Sequence, residues 1–387
     1  MTNYNSNGVI IWSPKFEKLA LIENYQSLIW TERYITCGEF ELYIKADAEL
    51  MKYIKCNNIV SRDFRVPYYE PTFPTGETTR LACPEFMIIE KVVLNTDVEN
   101  GNYIIASGRS LESILDRRVL TDNLTFTHYS VGMIMLMITD EVVNNKPAFP
   151  WILQMYNTMW SGSHYDVWAE QFYPVTEPIR GSVLLELAQN VFTSRKCGFR
   201  FVKQHNKNDV VYGYVYLGND RTGAVKEFPA VIFSPEYNNL VSSEYTYDST
   251  TEKNACYTAS DGEWFEELKT TALYNDVQRE GLDYREMFLK SDVPLKDDEG
   301  ASRSSTTVLS ELKSKGSLEL LNYRPTESFN FEVKSTDRYI YQKDYFLGDL
   351  VRVDNGFGIT AAARVTEVNQ VWDETGYKIV PILEVEY

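Results

Sequence analysis

Residues able to do acid–base or metal chemistry are few and far apart in this chain of 387 residues. Histidine, the common general base and metal ligand, occurs only at His128, His164 and His205. None of them lies in an HExxH or HxH pattern, spacings that place two imidazoles on one metal ion. We therefore interpret all three as ordinary surface or hydrogen-bonded histidines.

Two other segments match catalytic motifs only in part. Residues 107–110 read SGRS, which is similar to a phosphate loop but lacks its GK[ST] ending, and the GxSxG elbow of serine hydrolases does not occur. Carboxylates of the kind used in glycoside cleavage cluster at Asp261, Glu263, Glu266 and Glu267. Their charged surroundings favour a solvated face, so a glycosidase or peptidase is the weakest alternative. The sequence predicts a protein that is not an enzyme, with no catalytic, cofactor-binding or metal-binding residues.

Cysteine usage is typical of a reducing compartment. The five cysteines are odd in number, widely spaced and without a CxxC pattern: Cys37, Cys56, Cys83, Cys197 and Cys256. This spacing predicts buried thiols rather than disulfides or metal ligands.

Charge and composition exclude two further classes. The net charge of −17 argues against a general nucleic-acid-binding surface, which needs clustered Lys and Arg. No run of about 18 apolar residues occurs, so we expect no membrane-spanning segment, and the first residues do not resemble a signal peptide. The 27 tyrosines make the chain aromatic-rich, which is typical of strands and interfaces.

The elements that would position any site begin with a β region. Strand-like runs occur at 9–12, 19–22, 27–34, 59–66, 85–94 and 103–106. Phe40, Leu42 and Ile44 alternate with polar neighbours, which predicts a half-buried strand. A proline-rich stretch at 66–80 predicts an exposed loop, with a partner-contact arm as the alternative.

The central region mixes helices and strands. Ser110 and Glu112 suit the start of a helix over 108–118. Further helices are predicted at 131–143 (methionine-rich and buried), 183–192, 263–290 (charged) and 307–321, and further strands at 199–203, 210–217, 240–247, 255–259 and 329–333. Residues 291–306 predict a linker. Glu311 and Lys315 predict an i,i+4 ion pair on the last helix.

The last 43 residues are the most informative segment. Three β-rich runs follow one another, at 347–353, 364–372 and 377–386, separated by the turn signals DNGFG and ETG. Three consecutive antiparallel strands have little core of their own, so this unit is expected to pack against another surface. The segment therefore indicates assembly rather than chemistry.

Three motifs together resemble one protein family. GEFELYI at 38–44 resembles the G-x-F-x-L strand of siphophage tail-hub proteins. The segment 108–118, GRSLESILDRR, resembles their GR-x-L-x-x-x-L-x-RR helix, and 345–387 resembles their closing domain. For Arg109, Arg117 and Arg118 we favour structural ion pairs near a domain junction over contacts with a neighbouring subunit.

The resemblance implies a hub related to the baseplate hub of contractile phages. The expected fold is α+β and multidomain, with two small β-barrel-like tube domains and intervening α+β domains. The expected divisions are 1–124 (N-terminal tube-like domain), 125–235 (α+β), 236–306 (strands, charged helical segment and linker) and 307–387 (helix and C-terminal tube domain).

The expected function is a homotrimer in the virion tail tip, assembled in the host cytoplasm. It would continue the tail tube and contact the distal tail protein, the tail tube or tape-measure protein, and tip or fibre proteins. DNA would pass through its channel at ejection without sequence-specific binding, so we expect an acidic or neutral lumen. The alternative from another class is a carbohydrate-binding surface protein, motivated by the tyrosine-rich β regions.

Overall fold

The structure is a computed structural model. It describes residues 8–62, 86–97, 101–120, 128–129, 151–155, 173–174, 181–194, 196–203, 210–261, 267–297, 299–336 and 338–386. The fold is mostly β. Two compact units are present: a large unit, Met1–Ser242 with Glu332–Tyr387, and a small unit, Ser243–Phe331.

Both ends of the chain form one sheet in the large unit. Its N-terminal strands are β1 (Val9–Trp12), β2 (Lys18–Ile22), β3 (Ser27–Arg33), β4 (Glu39–Lys45), β5 (Ile59–Arg62), β6 (Phe86–Asn95) and β7 (Tyr103–Ser110). The strand order β3-β4-β7-β6-β5-β1-β2 is antiparallel throughout. Phe40, Leu42 and Ile44 point into the core, as their alternation predicts.

The remaining strands of the large unit before the C-terminal segment are β8 (His128–Tyr129), β9 (Ile152–Met155), β10 (Tyr173–Pro174), β11 (Gly198–Lys203), β12 (Val210–Tyr216), β13 (Asp220–Arg221) and β14 (Ile232–Phe233). Four of them, namely β8, β10, β13 and β14, have only two residues each. Helix α1 (Leu184–Ser194) contributes Leu184, Ala188 and Phe192 to a core shared with β11 and β12. A second core lies under β1 to β7.

The small unit is a sheet covered by a helix. Strands β15 (Leu240–Asp248) and β19 (Thr326–Val333) form a two-stranded ribbon, and the sheet proper contains β16 (Ala255–Asp261), β17 (Lys269–Leu273) and β18 (Glu286–Pro294). Helix α2 (Ser305–Leu320) packs on one face of this sheet, where Gly316 lies against Cys256 and Ala272. Here a small residue allows helix and sheet to approach closely.

The C-terminal strands complete the large sheet. They are β20 (Leu350–Asp354), β21 (Thr360–Asp373) and β22 (Gly376–Val385). One side of β21 pairs with β20 along its first half and with β3 along its second half, while β22 pairs along its other side. The predicted three-strand unit is confirmed, and the surface it packs against is the N-terminal sheet of the same chain.

Several sequence predictions are wrong. The charged helix predicted at 263–290 is strand over Lys269–Leu273 and from Glu286 onward in the described residues, because its exposed charges alternate along strands rather than around a helix. Residues 291–294 of the predicted linker belong to β18. Glu311 pairs with Arg303, and Lys315 pairs with Asp292, so these two do not form the predicted i,i+4 pair. Cys56 is exposed, whereas Cys37, Cys197 and Cys256 are buried as predicted; all four are free thiols.

Other predictions hold only at a coarser level. No sheet among the described residues closes into a barrel, so the two barrel-like domains are not confirmed. The four-part domain division stays a prediction. The loop at 66–80, the helix at 131–143, Cys83, His164, His205, Glu263 and Glu266 lie outside the described residues.

Candidate functional site

The two N-terminal motifs of the sequence meet at the junction of β4 and β7. The Gly38 amide donates a hydrogen bond to Ser110 Oγ at 2.9 Å, and the Ser110 amide donates to Gly38 O at 2.9 Å. A Cβ on Gly108 would lie 1.8 Å from Ile88 O, so only glycine fits there. Ser110 precedes a 3₁₀ helix, Leu111–Arg117, but its side chain binds Gly38 rather than capping that helix.

Arg109 and Arg117 from the sequence prediction form ion pairs beside this junction. Arg109 Nε lies 2.7 Å from Glu90 Oε2 and its Nη1 lies 3.0 Å from Asp116 Oδ2, while Arg117 Nη2 lies 3.1 Å from Glu90 Oε1. Burial opposes ionisation of Glu90, but hydrogen bonds from the two arginines outweigh it and hold its pKa below the ordinary value. The predicted structural ion pairs are therefore present for Arg109 and Arg117.

A third arginine joins this region to the C-terminal strands. Arg33 Nη2 lies 2.6 Å from Glu39 Oε1, and Arg33 Nε lies 2.6 Å from Glu367 Oε2. Arg33 and Glu367 are also direct neighbours across β3 and β21. One guanidinium thus links the first sequence motif with the closing segment.

Glu32 is the centre of a buried polar cluster on the other face of β3. Its carboxylate, 2% exposed, lies 3.3 Å from Arg62 Nη2 and 2.9 Å from Arg200 Nη2, and it accepts hydrogen bonds from Gln370 and Tyr341. Burial alone would raise the pKa of Glu32, but the two guanidiniums outweigh it and lower the pKa. Because each partner comes from a different segment, the cluster fixes how distant parts of the large unit meet.

The Arg62 side chain is enclosed by aromatic rings as well as by polar partners. Its guanidinium carbon lies 5.4 Å from the centre of the Trp30 ring and 5.2 Å from that of Trp372, within cation–π distance. Arg62 Nη1 donates to Gln370 Oε1. Because the Arg62 guanidinium is enclosed in this way, it is not accessible to a substrate. Its role is structural.

The closing segment contains a second buried ion pair. Asp349 is fully buried, and its Oδ2 lies 2.8 Å from Arg221 Nε. Asp349 Oδ1 accepts a hydrogen bond from the Asn219 amide at 2.8 Å. This pair holds the start of β20 against β13. Sequence inspection did not single out either residue, because they are separated by 128 positions.

One broad face of the sheet carries mostly exposed or half-buried side chains across six strands, although Thr31 and Ile88 on it are buried. Residues directly opposite one another share a face. One row across β6, β7, β4, β3, β21 and β22 comprises Lys91, Ser107, Glu41, Ile29, Val371 and Lys378, and the next comprises Ile88, Arg109, Glu39, Thr31, Asn369 and Val380. Charges of both signs are mixed on this face, which we call the open face.

Of the residues considered for catalysis, His164, His205, Glu263 and Glu266 lie outside the described residues. Only the backbone of His128 is described. Glu267 lies 2.9 Å from Lys290 Nζ and 3.2 Å from Lys269 Nζ, and their hydrogen bonds lower its pKa, which opposes a general-acid role. Among the described residues, no three His, Cys, Asp or Glu side chains form a group that could hold a metal ion. No helix in that part of the chain is long and apolar enough to cross a membrane.

The fold and these clusters define a β-rich protein whose buried charges hold its own strands in place. The chain belongs to the family of Siphovirus ReqiPepy6 Gp37-like proteins, whose model matches residues 9–383. The resemblance to siphophage tail proteins is thereby confirmed. No match was found among curated protein sequences.

Solved structures of tail proteins are similar over almost the whole chain. The prophage MuSo2 43 kDa tail protein from Shewanella oneidensis is 10% identical, with a TM-score of 0.48 and coverage of 97% of this chain and 98% of its own. The prophage tail protein gp18 from Listeria monocytogenes is 10% identical, with a TM-score of 0.47 and coverage of 97% and 94%. The E. coli c3393 protein, a type VI secretion component described as similar to T4 gp27 and gp5, is 9% identical, with a TM-score of 0.42 and coverage of 94% and 74%.

Proposed function

We propose that this tail protein is the homotrimeric hub of the tail tip, continuing the tail tube and enclosing a channel for DNA. The observation that carries the proposal is the sheet shared by the two ends of the chain. Among the described strands, β2 and β22 each pair with one neighbour only, as do the two-residue strands β13 and β14. Unpaired edges favour pairing with another chain, and three copies joined head to tail would use both edges and close a ring.

The sequence of β22 is compatible with an edge strand that pairs with another chain. Pro381 lies within β22, a position that proline tolerates at a sheet edge. Val380 and Ile382 are exposed on the same strand, at 37% and 41%. The free backbone N–H and C=O groups along β22 are what a strand of another chain would pair with.

The open face suits the wall of a DNA channel. Arg33 and Arg109 on this face are both paired with carboxylates, which leaves their charge less available to phosphate. Carboxylates and cations are interspersed, in keeping with a neutral or acidic lumen that DNA can cross without lasting contacts. Within this proposal the distal tail protein, the tail tube or tape-measure protein and the tip or fibre proteins bind the remaining surfaces.

The experiment is a mass measurement in solution combined with negative-stain imaging of the purified chain. The proposal expects three copies arranged as a ring with a central hole. A monomer that persists at high concentration would contradict it. A reconstruction with a channel lined by unpaired Lys and Arg would contradict the lumen assignment while leaving the trimer intact.

A second candidate function, carbohydrate binding, is favoured by one feature of the small unit. On the sheet face opposite α2, Tyr257 and Phe288 are neighbours across β16 and β18 and are 38% and 60% exposed. Tyr257 Oη lies 3.0 Å from both Tyr284 Oη and Glu286 Oε1. Exposed rings beside fixed polar groups suit a sugar. Glycan-array binding that is lost in Phe288→Ala would support this function.

A further inference from the structure

Two neighbouring aromatic side chains lie on the face of the small unit's sheet that α2 does not cover. Gly316 of α2 lies against Cys256, and side chains alternate along a strand, so Tyr257 lies on the opposite face. Phe288 of β18 is the direct neighbour of Tyr257 across the strand pair. The two side chains are 38% and 60% exposed, although aromatic side chains gain free energy from burial. We call Tyr257 and Phe288 the ring pair.

A chain of hydrogen bonds lies at one end of the ring pair. Tyr257 Oη donates to Glu286 Oε1 at 3.0 Å and lies 3.0 Å from Tyr284 Oη. A hydroxyl group has one hydrogen, so Tyr284 is the donor to Tyr257. The hydrogen bonds with Tyr284 and Glu286 raise the pKa of Tyr257, so its hydroxyl stays protonated at neutral pH. This end therefore offers accepting oxygens, on Tyr284 and on Glu286.

Two lysines lie at the other end of the ring pair. Lys269 and Lys290 are the neighbours of Ala259 in β17 and β18. Both ammonium groups contact Glu267, at 3.2 and 2.9 Å, and Ala259 between them is fully buried although it lies on this face. An ammonium group donates hydrogen bonds and accepts none. The ring pair thus lies between an accepting end and a donating end.

This arrangement matches a ligand with an apolar face and hydroxyl groups around its edge. The C–H groups on the face of a pyranose carry slight positive charge and stack against aromatic rings, whose faces are negative. A hydroxyl both donates and accepts, so the hydroxyls of one sugar can serve both ends. Apolar surface beside a few placed polar groups is the usual composition of a small-molecule site.

The same residues match a protein surface or an anionic polymer less well. Glu286 and Lys290 lie two positions on either side of Phe288 in β18, whereas the centre of a protein interface is depleted of charged residues. The two lysines share one carboxylate, and the chain carries a net charge of −17, which repels phosphate and uronate polymers.

We propose that the ring pair binds one residue of a neutral pyranose polymer, with Phe288 against the face of the sugar and with Glu286 and Tyr284 accepting hydrogen bonds from its hydroxyls. The inference rests on the carbohydrate-binding function proposed above and adds the class of sugar and the role of each side chain. It does not depend on the trimer.

The test measures binding of the full-length chain to immobilised neutral glucan, mannan and galactan, and to the anionic polymers glycerol-phosphate teichoic acid and polygalacturonate. We expect a neutral polymer to bind, with a dissociation constant that changes less than about twofold between roughly 50 and 500 mM NaCl. Phe288→Ala should weaken this binding by on the order of 10-fold. Phe357→Ala is the matched control, since Phe357 is 92% exposed in the large unit, and it should bind as the wild type does.

A second variant, Tyr284→Phe, keeps the ring and removes only the hydroxyl at the accepting end. It should weaken binding by about 3- to 10-fold. Salt-sensitive binding of an anionic polymer that requires Phe288 would overturn the neutral class and leave carbohydrate binding standing. Neutral-polymer binding that persists in Phe288→Ala, or that falls equally in Phe357→Ala, would overturn the site. Binding to none of these polymers would overturn both the inference and the carbohydrate-binding function.

Discussion

Glu32 Oε2 lies 2.9 Å from Arg200 Nη2, although 168 residues separate the two in sequence. The same carboxylate contacts Arg62, and its surroundings exclude water almost completely. Removing one member of a buried ion pair leaves the others charged and unpaired, which costs more free energy than the intact pair contributes. The large unit should therefore be sensitive to single substitutions in this cluster.

Glu32→Gln is expected to lower the free energy of unfolding by roughly 3–5 kcal/mol, because the buried Arg62 and the largely buried Arg200 lose their counter-charge. Urea denaturation followed by tryptophan fluorescence suits the measurement, since Trp30 and Trp372 flank Arg62. The control is Glu41→Gln on the open face, where a change within about 0.5 kcal/mol is expected. Equal losses of stability in Glu32→Gln and Glu41→Gln would show that the buried cluster contributes no more than an exposed carboxylate does.

Stability should also fall in acid through Glu32. The pKa of Glu32 is lowered in the folded chain, so its ionised form is favoured by folding. Its contribution is complete above the pKa of the unfolded chain and is lost as pH falls through the lower, folded value. Thermal unfolding measured across this acidic range should show a steeper decline for the wild type than for Glu32→Gln. If the unfolding temperatures of the wild type and Glu32→Gln fall in parallel with pH, Glu32 is not the group responsible.

Glu112 should change the stability with pH in the opposite direction to Glu32. It is buried, and that burial raises its pKa, although hydrogen bonds from Ser110 and the Phe201 amide partly offset the effect. A raised carboxyl pKa means that stability is highest below the unfolded value and falls as pH rises through the folded one. Glu112→Gln should therefore be more stable than the wild type above that range, by roughly 1–3 kcal/mol. The advantage should vanish in acid, and one that persists at low pH would refute the explanation.

Ser110→Ala should destabilise the large unit by roughly 1–3 kcal/mol, since the buried Gly38 amide would lose its partner. Ser107→Ala is the control on the same strand, where Ser107 lies on the open face. Differential scanning calorimetry of both variants gives the comparison. If Ser110→Ala unfolds at the same temperature as the wild type, another group must accept the hydrogen bond from the Gly38 amide.

Gly108→Ala should be among the most damaging changes in β7. Its Cβ would overlap Ile88 O, a backbone atom that cannot move aside without breaking the β6–β7 ladder. We expect a loss of about 3 kcal/mol or more. Gly101→Ala in the same hairpin has free space but a φ of +80°, so about 1 kcal/mol is expected. The yield of folded protein and the urea midpoint distinguish the two.

The strands themselves were largely predictable from local patterns. Alternation at Phe40, Leu42 and Ile44 correctly predicts the buried face of β4, and the turn residues Gly356 and Gly376 mark the C-terminal hairpins. These features depend on neighbours within a few positions. The helix predicted at 263–290 is wrong because charge is equally compatible with an exposed strand, and Asn275 and Asp276 adopt positive φ, which a helix does not allow.

The polar clusters could not be predicted in the same way. Glu32 finds its partners at positions 62, 200, 341 and 370, and no local pattern relates these positions. The arginines of the GR motif were a partial exception. Their family resemblance drew attention to Arg109 and Arg117, although it did not reveal that Glu90 is their shared partner.

Strand β21 lies between β3 and β22, and the contact of Thr31 with Asn369 spans 338 residues. At about 10 residues per second, a ribosome needs roughly half a minute to make the polypeptide between them. During that interval the nascent β3 has one side without its final neighbour. Biosynthesis therefore imposes a waiting period on this sheet, in which chaperone protection or faster translation would reduce mispairing between chains made side by side on one messenger RNA.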